Sequence, residues 1–351
     1  MLPNNPAVLA HFTTFRIGGP ARNLVIAQTE DELVGAVQRG DLASTPVLVV
    51  SGGSNMLVSD DGFEGTVVVV ATQGIEQQTT QGTGIHLRVA AGQPWDQLVE
   101  HTIAQGWSGL EMLSGIPGLV GAAPVQNIGA YGAEIASVIH AVRVYDRPAK
   151  QIVTLSPDAC GFGYRTSLFK QQRDQYVVLS VDLNLAQQQW IGGFGLSQPV
   201  AYAELAGHLG VDIGTRVPLT DARQAVLALR RAKGMVFDPA DHDTWSAGSF
   251  FTNPIVSSAV AATLPEDAPR FAQPDGTVKT SAAWLIDHAG FHKGYALGPA
   301  ALSSKHVLAL TNTGHATAQD ILRLARKIRD AVLTTYGIRL EPEPVFVGVS
   351  L

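Results

Sequence analysis

Ser114-Gly115-Ile116-Pro117-Gly118-Leu119-Val120-Gly121-Ala122-Ala123-Pro124-Val125-Gln126-Asn127-Ile128-Gly129-Ala130-Tyr131-Gly132 is the stretch on which the fold of this chain turns. It holds five Gly, two Pro and almost no charge, and its polar side chains are Ser114, Gln126, Asn127 and Tyr131. No helical or strand period runs through it. A surface linker is more polar, and a core strand does not tolerate so many glycines. The physical expectation is backbone wrapped closely around something flat and largely apolar, with N–H groups left to bond it. An ornate buried turn is the alternative that this segment alone leaves open.

Upstream the pattern is α/β. Leu24 to Ala27 reads as a short strand, and Thr29-Glu30-Asp31-Glu32 is a capping box opening a helix that should end at Gly40. Val47 to Val50 is a second strand and runs directly into Ser51-Gly52-Gly53-Ser54-Asn55. Thr66 to Val70 is a β-branched run with the character of a buried strand. The glycine loop is not a P-loop, since no Gly-Lys pair occurs in the chain, and no Gly-x-Gly-x-x-Gly fingerprint is present. Two adjacent glycines with flanking hydroxyl and amide groups still suit a pyrophosphate, through backbone N–H groups and Ser54 or Asn55. A plain strand-to-helix turn suits the same residues.

His86 to Ala90 is a further strand, and a helix follows from about Trp95 to Gln105. Beyond the central segment, Val138 to Tyr145 and Gln151 to Leu155 read as paired strands, and Ser156-Pro157 as an N-cap and N1 pair. In Gly163-Tyr164-Arg165-Thr166-Ser167-Leu168-Phe169-Lys170, Arg165 lies among aromatics and hydroxyls. A guanidinium so placed binds a carboxylate or phosphate, or else snorkels to water. Tyr176 to Leu185 is a strand, Trp190 to Gly195 a loop, and Pro199 to Tyr202 an extended approach to a helix. Thr220-Asp221-Ala222 caps an amphipathic helix with Ala225, Val226 and Leu229 inward. Its end, Arg230-Arg231-Ala232-Lys233-Gly234, either complements the helix dipole or grips phosphate.

Asp241-His242-Asp243 reads as a solvated turn. His288 and His292 lack the Glu of a zinc-protease signature, so no metal is assigned. In Ala247-Gly248-Ser249-Phe250-Phe251-Thr252-Asn253-Pro254 a hydroxyl stands at the edge of an apolar pocket. Its flanks are not those of a hydrolase elbow, and proton donation fits Ser249 better than nucleophilic attack. Ala282 to His288 should be a helix, Val307 to Leu310 a strand, and Ala318 to Tyr336 a long helix closed by Gly337. The final run from Arg339 to Gly348 reads as extended, which would put Glu341 and Glu343 on one side.

Bulk composition narrows the classes. A chain of 351 residues suits two or three domains, and 46% hydrophobic with 15% charged residues describes a soluble, globular protein. A formal net charge of −6 argues against nucleic acid as the main partner. Cys160 is the one cysteine, so no intrachain disulfide can form. Neither a signal-peptide pattern nor an apolar run of membrane-span length is present, and a cytoplasmic address is expected.

Taken together, six runs resemble the UDP-N-acetylenolpyruvoylglucosamine reductase family of flavoenzymes. They are Thr14-Phe15-Arg16-Ile17-Gly18-Gly19, Gly52-Gly53-Ser54-Asn55, residues 114–132, Tyr164 to Lys170, Ala247 to Phe251, and Glu341-Pro342-Glu343. They occur in the family's order and span nearly the whole chain. The resemblance implies an α+β chain: a two-subdomain FAD-binding fold of the vanillyl-alcohol oxidase (PCMH) type plus an α/β substrate-binding domain. On that basis residues 1–70 and 71–216 form the FAD subdomains, with a loop at 190–202. Residues 217–337 bind substrate, and 338–351 return as a strand to the active site.

The same resemblance implies an NADPH-dependent reduction of UDP-N-acetylglucosamine-enolpyruvate to UDP-N-acetylmuramate in peptidoglycan synthesis. Hydride from reduced FAD adds to the terminal carbon, and NADPH and substrate use one flavin face in turn. Arg165, Ser249 (proton donor) and Glu343 match the family's catalytic residues. Glu343 is preferred to Glu341 because it precedes the Val-Phe-Val-Gly run, although Pro344 departs from the pattern. Cofactor contacts fall on Gly52, Gly53, Ser54 and Asn55, on Ser114, Gly115, Ile116, Pro117, Gly118, Gly121 and Ala122, and on Gln126, Asn127, Ile128, Gly129, Ala130 and Tyr131. Lys233 matches the diphosphate-binding lysine, Asn253 a substrate contact, and Tyr202 the tyrosine of the subclass with a mobile loop. A monomer without nucleic-acid or membrane partners is expected. Two rivals stand beside this: another FAD-dependent alcohol or hydroxy-acid oxidoreductase, and a non-catalytic flavin or nucleotide-sugar binding protein.

Overall fold

A computed structural model describes residues 7–78, 84–187 and 195–351. The chain divides into two compact units. One comprises the described residues up to Arg22, then Gly53–Phe63 and Ala232–Leu351; the other comprises Asn23–Gly52 and Glu64–Arg231. The α+β class read from the sequence is what the structure has.

In the second unit a three-stranded sheet runs in the order Ala21–Ala27, Phe63–Val70, Val47–Val50, and the last two strands are parallel. Its helix Glu30–Leu42 starts at the expected capping box. Thr29 accepts from the Glu32 N–H, and the helix buries Leu33, Ala36 and Val37. A larger antiparallel sheet follows, in the order Gln151–Leu155, Ile139–Asp146, Tyr176–Gln187, Gly84–Ala90, Ile75–Gln78. Strict alternation in Gly84–Ala90 turns Ile85, Leu87 and Val89 inward. The helix Trp95–Ala104 buries Trp95, Leu98 and Val99 in the same core.

The central glycine segment has no long element. It contains a short 3-10 turn at Val120–Ala122 and the two-residue strand Gly129–Ala130 paired with Ala133–Glu134. Leu219–Ala232 is the amphipathic helix expected, begun one residue earlier than Thr220, with Ala222, Ala225 and Val226 buried. The expected Trp190–Gly195 loop lies, apart from Gly195, outside the described residues.

The first unit is built on the helix Ala318–Tyr336. Ile321, Leu322, Leu324, Ala325, Ile328 and Val332 on it are wholly buried. Each large aliphatic among them contributes roughly 1.5–3 kcal/mol. Gly337 ends the helix at φ 68, the left-handed conformation that favours glycine. Phe15, Ile17, Leu57, Phe250 and Phe251 share this core. The C-terminal strand Val345–Val347 pairs parallel with Met56–Val58.

Two expectations are corrected here. The strand placed at Val307 to Leu310 is instead Leu310–Asn312. Val307 and Leu308 are buried in a turn, where Ala309 N–H bonds the His306 carbonyl, because core contact rather than pairing claims them. Glu341 and Glu343 do not share a strand face: Glu343 is 9% exposed, whereas the Glu341 side chain is 70% exposed. Among the described residues no helix is long and apolar enough to cross a membrane.

Candidate active site

In the second unit, the strand Val47–Val50 delivers Ser51 and Gly52 to the central segment. A Cβ on Gly52 would lie 2.5 Å from the Gly118 Cα, so the two glycine loops meet through bare backbone. The Ser51 hydroxyl is buried there and has no hydrogen-bond partner among the described residues. Residues 118–121 are tied to the start of the helix Trp95–Ala104. Trp95 N–H donates to the Gly118 carbonyl (3.0 Å), Val120 N–H to Gln93 (2.9 Å) and Gly121 N–H to Ala91 (2.8 Å).

Not every backbone group of 114–132 is left for a ligand. The N–H groups of Ser114, Gly121, Ala122, Asn127 and Ile128 all donate to protein carbonyls. The Ser114 hydroxyl donates to the Glu111 carbonyl at 2.7 Å. Asn127, at φ 47, donates to Glu134 (2.8 Å) and Gly163 (3.2 Å) and accepts from Ala136 (3.1 Å). Its side chain is taken up in holding the segment's shape.

Arg165 reaches the same place from a distant part of the sequence. It sits at φ 53 and donates from Nη2 to the Gly129 carbonyl at 3.0 Å; Lys170 Nζ in turn donates to the Arg165 carbonyl at 2.9 Å. Tyr131, at φ 49, packs edge-on against Tyr202 with ring centroids 5.6 Å apart. Burial pushes the Tyr131 phenol up to about 12, while Arg230 opposes that shift. In the sequence reading Arg230 is only one of three cations at a helix end, not set apart from Arg231. Burial pushes the Arg230 guanidinium down to about 10, with Tyr131, Asp96 and Arg165 all close enough to act on it. A signal existed: Arg230 lies four residues after Val226, on the inward stripe of its helix.

In the first unit, Asn55, the Ser249 segment and Glu343 are stitched together by backbone. Glu343 N–H donates to the Phe250 carbonyl (2.8 Å), Thr252 N–H to Glu341 (3.0 Å) and Val345 N–H to Asn55 (2.9 Å). Asn55 Nδ2 donates to the Glu343 carbonyl at 3.4 Å. Ser249 is half-buried, directly before the buried pair Phe250 and Phe251. Gly53, at φ 57, passes so close to the Phe12 carbonyl that no side chain fits. Asn253 Oδ1 accepts from Ala282 N–H (3.0 Å) at the start of the helix Ala282–His288. Lys233 follows directly on the helix Leu219–Ala232, before Gly234 at φ 66. Asp241 and Asp243 face Lys305, at 2.7 and 3.8 Å, and among the described residues no cluster of three or more His, Cys, Asp or Glu could hold a metal.

Residues 21–156 match the family described as FAD binding domain, and residues 238–347 the one described as UDP-N-acetylenolpyruvoylglucosamine reductase, C-terminal domain. The UDP-N-acetylenolpyruvoylglucosamine reductase of Cutibacterium acnes is 53% identical over 98% of this chain and 90% of its own length. The chain belongs to this reductase family. The enzyme of that name from Thermobifida fusca is 50% identical over 98% of this chain and 97% of its own. The crystal structure of the UDP-N-acetylenolpyruvylglucosamine reductase of Thermus caldophilus covers 97% of both chains at 28% identity, with a TM-score of 0.65. These likenesses bear out the resemblance, the FAD-binding fold with its further domain, and an FAD-dependent oxidoreductase. In the reductase the first match takes in Gly52 to Asn55 and Ser114 to Tyr131; the second takes in Ser249, Asn253 and Glu343. The residues present fit FAD: side-chain-free backbone brought together at Gly52 and Gly118, with the buried Ser51 hydroxyl beside Gly52.

Proposed function

We propose that this chain reduces the enolpyruvyl group of UDP-N-acetylglucosamine-enolpyruvate to give UDP-N-acetylmuramate in peptidoglycan synthesis, with NADPH as reductant. The observation that carries this is Glu343, buried and bonded through its backbone to Asn55 and to Phe250, the residue that directly follows Ser249. When bound, FAD takes electrons from NADPH and supplies the hydride that adds at the terminal olefinic carbon.

The chain's own residues align the substrate and manage charge and protons. Addition at the terminal carbon leaves negative charge spread toward the substrate carboxylate. Arg165, steadied by the Gly129 carbonyl, and the Glu343 carboxyl stabilise that charge. One such donor in a water-poor site contributes about 3–4 kcal/mol. Ser249 gives its hydroxyl proton to the carbon beside the carboxylate, which is basic enough to take it. Lys233 binds the diphosphate and Asn253 a neighbouring part of the substrate. Tyr202, which packs edge-on against Tyr131, covers the uridine. FAD is held by the Gly52–Asn55 and Ser114–Tyr131 segments.

An anaerobic sample should lose its yellow absorbance on adding NADPH and regain it on adding UDP-N-acetylglucosamine-enolpyruvate. Recovery with oxygen alone would leave an alcohol or hydroxy-acid oxidoreductase as the better account. No bleaching at all is what a flavin-binding protein without turnover gives. We further propose a monomer acting in the cytoplasm; a light-scattering mass of two chains would contradict the first part.

A further inference from the structure

The first two residues of the helix Trp95–Ala104 hold the turn that begins at Gly115. Trp95 donates its indole N–H to the Leu113 carbonyl (2.9 Å) and its backbone N–H to Gly118 (3.0 Å). Asp96 Oδ1 accepts from the Gly115 N–H at 2.6 Å. The same carboxylate takes both terminal nitrogens of Arg223, each at 2.8 Å. Paired donation of this kind is the strongest and most directional form of ion pair. Arg223 is 15% exposed and the Asp96 side chain 40%, so the pair is partly shielded from water on the arginine side. It stands two helical turns before Arg230 on the same helix. Burial disfavours the Asp96 carboxylate, yet hydrogen bonds from Arg223 and Gly115 hold its pKa below the ordinary value.

We propose that Asp96, backed by Arg223, is a positioning residue for FAD. It fixes the turn from Gly115 to Gly118 against Gly52, so that the cradle is shaped before the cofactor arrives. This rests on residues 114–132 being the FAD cradle. A turn that must be ordered during binding lowers affinity by the cost of ordering it. Asparagine at 96 keeps the size but removes the charge from both the Gly115 bond and the Arg223 fork. Hydrogen bonds to charged groups carry enough energy for about a 10- to 100-fold change in affinity.

The test is titration of the apo-protein with FAD, followed by flavin fluorescence and absorbance, in wild type, Asp96→Asn and Asp182→Asn. Asp182 makes a similar two-pronged pair with Arg88, at 2.8 and 2.9 Å, within the antiparallel sheet of the same unit. Asp96→Asn should weaken FAD binding about 10- to 100-fold and shift the absorption of the bound flavin, while Asp182→Asn stays within about twofold of wild type. Wild-type affinity in Asp96→Asn overturns the proposal, and so does an equal loss in Asp182→Asn. If circular dichroism shows Asp96→Asn unfolded, Arg223→Lys decides, since it keeps the charge and loses the fork. FAD affinity at least about threefold weaker supports the proposal, and unchanged affinity overturns it. A wild-type protein that binds no FAD overturns the cradle itself, a separate and recognisable outcome.

Discussion

At the scale of single residues, chemistry here is set by burial as much as by residue type. Cys160 is fully buried, and that burial pushes its thiol up to about 11. The thiolate is the reactive form, so its labelling by Ellman's reagent should remain slow in the native protein even at pH 9 and become fast on denaturation. Rapid stoichiometric labelling of the folded protein would contradict this. Arg165, Ser249 and Glu343 are proposed from the sequence because their flanking residues form recognisable runs. Arg230 was not picked out, because a cation at a helix C-terminus satisfies the dipole whether exposed or buried. Only packing around Tyr131 separates it from its exposed neighbour Arg231.

Among the elements, those with local signals were read closely and those without were not. Both capping boxes act on neighbouring backbone, and the box at Thr29 was visible as a four-residue pattern. At Thr317 the side chain accepts from the Asp320 N–H at 3.2 Å and opens the helix that carries the core of its unit. Thr317→Ala should cost about 1 kcal/mol in urea unfolding, and an unchanged midpoint would contradict that cap. By contrast, Val307-Leu308 had strand composition but is buried in a turn, since the hydrophobic demand of a core is indifferent to backbone pairing. The pair Glu341 and Glu343 misled for a related reason. Strand alternation holds only where the ladder continues, and the strand begins at Val345.

For the whole molecule, the path of the chain matters more than any one element. The core of the first unit joins Phe15, Ile17 and Leu57 to the helix Ala318–Tyr336, and its last strand needs Met56–Val58 as partner. Asp60 also accepts the Ala318 N–H at 2.8 Å, where that helix begins. A fragment spanning 232–351 should therefore show no cooperative thermal transition by circular dichroism; a sharp native-like melt would contradict the shared core. That union was not legible beforehand, because contacts between residues so far apart leave no local pattern. The proposed chemistry is that of an FAD-dependent reductase in which the Ser249 hydroxyl supplies the final proton. Its most direct test is anaerobic stopped-flow of Ser249→Ala, with each half-reaction followed separately. Flavin reduction by NADPH should stay within about twofold of wild type, while reoxidation by UDP-N-acetylglucosamine-enolpyruvate slows about 10²–10⁴-fold. Reoxidation at the wild-type rate would contradict the account.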